Sequence, residues 1–171
     1  MFKETRRLRV WNEGFTTEEW WDSISDVMNR PTELEDVRKL DFDATFFAEV
    51  DGQAVGLVEI KIHEDEARIR NLVVLRNFRR RGIGTKLLEK AIEFIKSRRI
   101  RRIRVKTSTR NASRFYRKNG FGRVDYLFLI RIPHMNDAMF MREKDVESMR
   151  KLKTDFEIVT KFELMIRELS P

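Results

Sequence analysis

Residues 79–84, Arg-Arg-Arg-Gly-Ile-Gly, gather three guanidinium groups and two glycines within six positions, a combination suited to holding an anion. Upstream, the mainly apolar run from Ile69 to Leu75, with β-branched Ile69, Val73 and Val74, reads as a strand. Downstream, Ile83, Leu87, Leu88, Ala91, Ile92 and Ile95 recur with helical spacing. A strand that passes through a basic glycine turn into a helix makes an anion site. Glycine lets backbone N–H groups approach a phosphate, and the helix N-terminus adds unsatisfied donors and the positive end of its dipole. Arg79, Arg80 and Arg81 supply charge that a diphosphate can take in bidentate fashion. The chemistry implied is the binding of a phosphorylated cofactor.

Two familiar phosphate loops do not fit. A Walker loop needs glycine, four residues and then Gly-Lys-Ser/Thr, whereas the chain has only Gly82-Ile83-Gly84-Thr85-Lys86. A dinucleotide fingerprint needs a third glycine at position 87, which is Leu. On the residues alone, a surface turn with a packing glycine and a solvated arginine face remains the alternative.

The elements that must carry this loop can be read around it. Leu8 to Trp11 reads as a first strand. A helix opens near Thr17, with Trp20, Ile24, Val27 and Met28 on one side, and Pro31 ends it. The tryptophans read as core rather than as a substrate wall. Thr45 to Val50 and Gln53 to Ile62 flank Asp51-Gly52 as a hairpin, and Ala67 to Leu75 follows as the strand that enters the loop. After the helix of residues 81–97 come a strand (Arg101 to Thr107), a helix (Thr109 to Asn119) and a strand (Val124 to Ile132). Residues 156–169 alternate at period two and are rich in β-branched and aromatic residues, so a strand is favoured over a helix. Residues 133–155 then form a helical insertion, with Val146, Met149 and Leu152 on one face.

The whole chain sets bounds. Its 171 residues suit a single domain over 1–171, and the order of elements is mixed α/β. No apolar run is long enough to span a bilayer, and no apolar signal segment follows the N-terminus, so a cytoplasmic protein is expected. The absence of cysteine excludes disulfides and a cysteine nucleophile, and two separated histidines, His63 and His134, give no metal site. The net charge of +8 leaves nucleic acid as a conceivable partner through runs such as 98–104. A solvated helix end followed by the outer face of a strand explains that run more simply.

Arg79-x-x-Gly82-x-Gly84 resembles the pyrophosphate loop of the GNAT superfamily of acetyl-CoA-dependent N-acetyltransferases, whose pattern is Arg/Gln-x-x-Gly-x-Gly/Ala. Residues 112–121, Ala-Ser-Arg-Phe-Tyr-Arg-Lys-Asn-Gly-Phe, are similar to the family's Ala-x-x-Phe/Leu-Tyr-x-x-x-Gly-Phe segment, and residues 162–169 are similar to its closing strand. The resemblance covers roughly residues 5–169. It implies a central mixed sheet in which a parallel strand pair splays apart, flanked by helices.

The resemblance also implies roles. Amides around Arg79, Arg80, Arg81, Gly82, Ile83, Gly84 and Thr85 would bind the coenzyme A pyrophosphate, and the backbone of Leu72, Val73 and Val74 would pair with its pantetheine arm. The Val74 amide would stabilise the oxyanion, and Tyr116 would be the general acid for the leaving thiolate. Thr109 stands where the family usually carries a cofactor-contacting asparagine, and Arg68 where several members carry a catalytic glutamate. Glu59, with Asn71 to hold a water, is the substitute base. The expected function is acetyl transfer from acetyl-CoA to a primary amine, of a small molecule or a protein, by direct attack. No membrane is involved, and a homodimer stays open. The rival readings are a coenzyme A-binding regulatory module without catalysis and, behind it, a nucleic-acid-binding domain.

Overall fold

A computed structural model describes residues 8–11, 43–133, 135 and 137–170, with the backbone alone for 8–11. The helix expected between Thr17 and Pro31 lies outside the described residues. The chain divides into two compact units, residues 1–101 with 169–171, and residues 102–168.

In the first unit, β1 (Leu8–Trp11), β2 (Ala44–Val50), β3 (Gln53–His63) and β4 (Glu66–Val74) pair in that order, each antiparallel to the next. The Asp51-Gly52 turn joins β2 to β3, as the sequence indicates. A 3₁₀ turn, Arg76–Phe78, follows β4, and α1 spans Ile83–Ser97. The stripe of Ile83, Leu87, Leu88, Ala91 and Ile95 is buried and packs on β2, β3 and β4. Phe46 meets Phe94 of α1 edge-on, with ring centroids 5.8 Å apart.

Close packing at one point depends on a missing side chain. A Cβ on Gly56 would lie 2.8 Å from the Val73 carbonyl oxygen and 3.1 Å from Leu87 Cδ1. Gly56→Ala is therefore expected to destabilise the protein by about 1–3 kcal/mol, the usual range for overpacking. Urea denaturation would show this as a lower midpoint at unchanged slope.

β4 carries one extra residue against β3. Glu59 pairs with Asn71 and Ile60 with Ile69, so Arg70 is the bulge. A bulge shifts the pairing by one, and here it sets Asn71 opposite Glu59.

In the second unit, β5 (Arg102–Thr107), β8 (Glu157–Glu168), β6 (Gly122–Arg131) and β7 (Met139–Arg142) lie side by side in that order, all antiparallel. The α-helices here are α2 (Arg110–Lys118) and α3 (Glu143–Lys151). Residues 157–168 are a strand, as their alternation indicates. The segment 133–155 departs from the expected helical insertion, because it opens with β7. Met139 and Met141 point to one face and Phe140 and Arg142 to the other, so period two serves this stretch better than a helix. The two methionines and Val146 of α3 pack with Phe128 and Ile130 of β6. Leu152, expected on the apolar face of that helix, lies just past its end and is 78% exposed.

Candidate active site

The basic glycine turn has the geometry of an anion cradle. Phe78 N–H and Arg79 N–H close the 3₁₀ turn on the carbonyls of Leu75 (2.9 Å) and Arg76 (3.3 Å). Arg80 and Gly82 then both take left-handed backbone angles, φ +63° and +78°, and α1 begins. Its first intrahelical bond runs from Lys86 N–H to the Gly82 carbonyl at 3.1 Å. The N–H groups of Ile83, Gly84 and Thr85 thus precede the helical ladder. Among the described residues no side chain caps this end, and its first turn holds no acidic residue. A Cβ at Gly82 would meet nothing within 4 Å, so space is open beside the residue that leads into the helix. Ile83, Leu87 and Leu88 are buried and anchor the helix behind its donors.

The three arginines are placed differently. Arg81 stacks its guanidinium over the Phe78 ring, 5.4 Å from the centroid. Arg79 Nε donates to the Val74 carbonyl at 2.8 Å. Arg80 is exposed on the left-handed bend. Phe78 and the Arg79 contact are the two participants that the sequence pattern did not single out. The five-residue step from Val74 to Arg79, folded through one tight turn, was the available signal.

β4 presents its backbone unevenly. Leu75 N–H bonds to the Val55 carbonyl at 2.8 Å, and the register pairs Val73 with Leu57 and Val74 with Gly56. Alternate residues of an antiparallel ladder bond to the partner, so Val73 faces β3, whereas the N–H groups of Leu72 and Val74 are directed away from it. Of the three residues expected to pair with a pantetheine arm, Leu72 and Val74 keep their amides off β3. Val73 does not.

Glu59 and Asn71 meet across β3 and β4. The Asn71 carboxamide donates to the Glu59 carboxylate, which is 2% exposed. Both lie on the sheet face opposite α1, since Gly56 and Val58 alternate with Glu59 toward the helix. Arg68 makes a 3.1 Å ion pair with the buried Glu66.

The second unit carries the remaining candidates. Thr109 is the N-cap of α2, its hydroxyl accepting from Ala112 N–H at 3.2 Å. One turn on, Ser113 and Thr107 share a buried hydroxyl–hydroxyl bond of 2.7 Å that fixes α2 to the end of β5. Tyr116 follows one turn later, 5% exposed, with the rings of Phe115 and Phe121 each 5.2 Å away edge-on. Among the described residues, no group pairs with its hydroxyl. Burial pushes its phenol well above the ordinary range, because the phenolate would lose its hydration. Among the described residues there is no cluster of metal-binding side chains, and no helix is long and apolar enough to cross a membrane.

The model of the acetyltransferase (GNAT) family matches residues 8–121. The chain belongs to this family. It is 35% identical over 121 residues to the uncharacterized protein YxbD of Bacillus subtilis, a match covering 69% of this chain and 65% of that protein. It is 38% identical over 92 residues to the uncharacterized N-acetyltransferase MJ1207 of Methanocaldococcus jannaschii, covering 48% and 41%. The chain thus spans less than two-thirds of the length of these curated relatives.

Solved GNAT structures share the fold at low identity. The ribosomal-protein-S18-alanine N-acetyltransferase of Escherichia coli superposes with a TM-score of 0.65 at 16% identity, over 96% of both chains. Ard1 of Thermoplasma volcanium gives 0.67 at 18%, over 96% of this chain and 99% of that one. The PaiA N-acetyltransferase of Thermoplasma acidophilum, solved with coenzyme A, gives 0.60 at 16%, over 95% and 99%. The α/β, GNAT-like fold expected from the sequence is the fold of this chain.

Proposed function

We propose that this GNAT protein transfers the acetyl group of acetyl-CoA to a primary amine by direct attack, without a covalent enzyme intermediate. The observation that carries the reading is the uncapped, acid-free N-terminus of α1, entered through left-handed Gly82 beside exposed Arg80 and Arg81. These groups fit a diphosphate, since the cradle offers donors and charge and, among the described residues, no side chain caps it. When bound, the coenzyme supplies an acetyl thioester, a carbonyl open to attack by an amine.

The chain's own residues then divide the work. The amides of Ile83, Gly84 and Thr85, with Arg80 and Arg81, hold the diphosphate. Leu72 and Val74 offer backbone donors to the arm of the cofactor, and the Val74 N–H meets the oxygen on which negative charge develops. Tyr116 keeps a proton on its hydroxyl for the departing sulfur, and its burial favours that protonated form. Glu59, held by Asn71, accepts the proton of the amine through water. Thr109, whose hydroxyl caps α2, is the residue that would contact the cofactor from the start of this helix.

For the acceptor, we propose a small-molecule amine or a protein or peptide amino group. The fold shared with protein N-acetyltransferases supports including the latter. Thiol release from acetyl-CoA, measured with pooled amines, polyamines and peptides bearing free N-termini, tests the reading. Release with one class supports it. Coenzyme binding with no release by any class would favour the regulatory module, a rival supported by Arg68 and its ion pair at the position of the family glutamate.

Glu59→Gln provides a sharper test of the base. Turnover is expected to fall about 10²-fold at neutral pH, with coenzyme affinity unchanged. The deficit narrows as pH rises past ~8, where an α-amino acceptor is already neutral. A deficit independent of pH would make Glu59 a structural carboxylate.

A further inference from the structure

We propose that Arg79 is a positioning residue that works through its Nε–H alone, and that the site does not use its charge. The proposal rests on the acetyl-transfer reading for its catalytic consequence and on the geometry of β4 for its physical cause. The last peptide of β4, between Val74 and Leu75, is held at both ends. Its N–H bonds to the Val55 carbonyl at 2.8 Å, and its carbonyl accepts from Arg79 Nε at 2.8 Å. That peptide adjoins the one bearing the Val74 N–H, the proposed oxyanion donor. At its other end Arg79 sits directly before left-handed Arg80. One side-chain contact thus ties the oxyanion donor to the entry of the anion cradle. The 3₁₀ turn of Arg76–Phe78 is the only regular element between them.

The donating atom is decisive. Nε stands four bonds from Cα in arginine, and in glutamine the amide nitrogen also stands four bonds from Cα. Glutamine can therefore present an N–H at the same reach without any charge. Lysine keeps the charge but places a methylene there, with its nitrogen one atom further out. A phosphate ligand would instead rank lysine close to arginine and glutamine well below it, because charge dominates that contact.

Arg79→Gln, Arg79→Lys and Arg79→Met separate these cases in the full chain. Three quantities would be measured: coenzyme A affinity by calorimetry, turnover by thiol release, and amide hydrogen exchange over residues 74–80. The Gln variant is expected to match the wild type in all three. The Lys and Met variants are expected to lose about tenfold in turnover and to exchange Leu75 and Phe78 amides about tenfold faster, the weight of one hydrogen bond. Their coenzyme affinity should stay within about threefold of the wild type. A Lys variant like the wild type beside an impaired Gln variant, or an affinity loss of tenfold or more in the Gln variant, would overturn the proposal. If no amine is ever acetylated, the transfer reading fails. The exchange ranking then still decides whether Nε–H holds β4 to the cradle.

Discussion

Replacing both Gly82 and Gly84 by leucine is expected to abolish acetyl-CoA binding while leaving the protein folded. Gly82 has φ +78°, and a Cβ there would touch nothing within 4 Å. The leucine at 82 therefore strains the backbone by about 1–3 kcal/mol without colliding with the core. At 84, inside α1, a better helix former returns about 0.5–1 kcal/mol. Side chains at both positions keep a diphosphate from the first-turn amides. Losing two charge-assisted hydrogen bonds, at about 1.5–3 kcal/mol each, weakens binding by roughly 10²–10⁴-fold. Calorimetric titration alongside thermal unfolding would separate the two effects. Unchanged affinity in a folded double variant would show that the turn is a surface feature and that the coenzyme binds elsewhere.

What could be read in the sequence was local. Glycine spacing, the arginine run and the apolar strand before them prescribe the cradle, because each acts on its own stretch of backbone. The alternation of residues 157–168 prescribed a strand for the same reason. β7 was hidden because four residues, Met139–Arg142, are too few to display a period, and methionine serves helices and strands alike. The Arg70 bulge was equally silent. Nothing in the run Arg68-Ile69-Arg70-Asn71 marks which residue is skipped, although that choice decides whether Asn71 reaches Glu59. The role of Arg79 was obscured by its own chemistry. A guanidinium beside a phosphate turn suggests charge, and only the folded turn shows Nε spent on the Val74 carbonyl.

Tyr116→Phe is expected to lower turnover by ~10²–10⁴-fold, the usual worth of a positioned general acid, with acetyl-CoA affinity unchanged. The substitution is clean because the ring and its contacts with Phe115 and Phe121 remain. Among the described residues the hydroxyl also has no partner to leave behind. Its pH behaviour gives a second check. Burial raises the folded-state pKa above the ~10 of a phenol in the unfolded chain, so the folded protein binds that proton more tightly. The stability this contributes is complete below about pH 10 and is lost as pH rises beyond it. The phenylalanine variant lacks this loss, so it should hold its unfolding free energy better than the wild type in alkaline denaturant titrations. The same raised pKa keeps the proton on Tyr116 throughout the neutral range, so turnover should show no descending limb from this group below about pH 10. Retained turnover in the variant would make Tyr116 a packing residue between two phenylalanines, with the thiolate leaving unassisted. The alkaline stability difference would persist in that case, because it depends on burial alone.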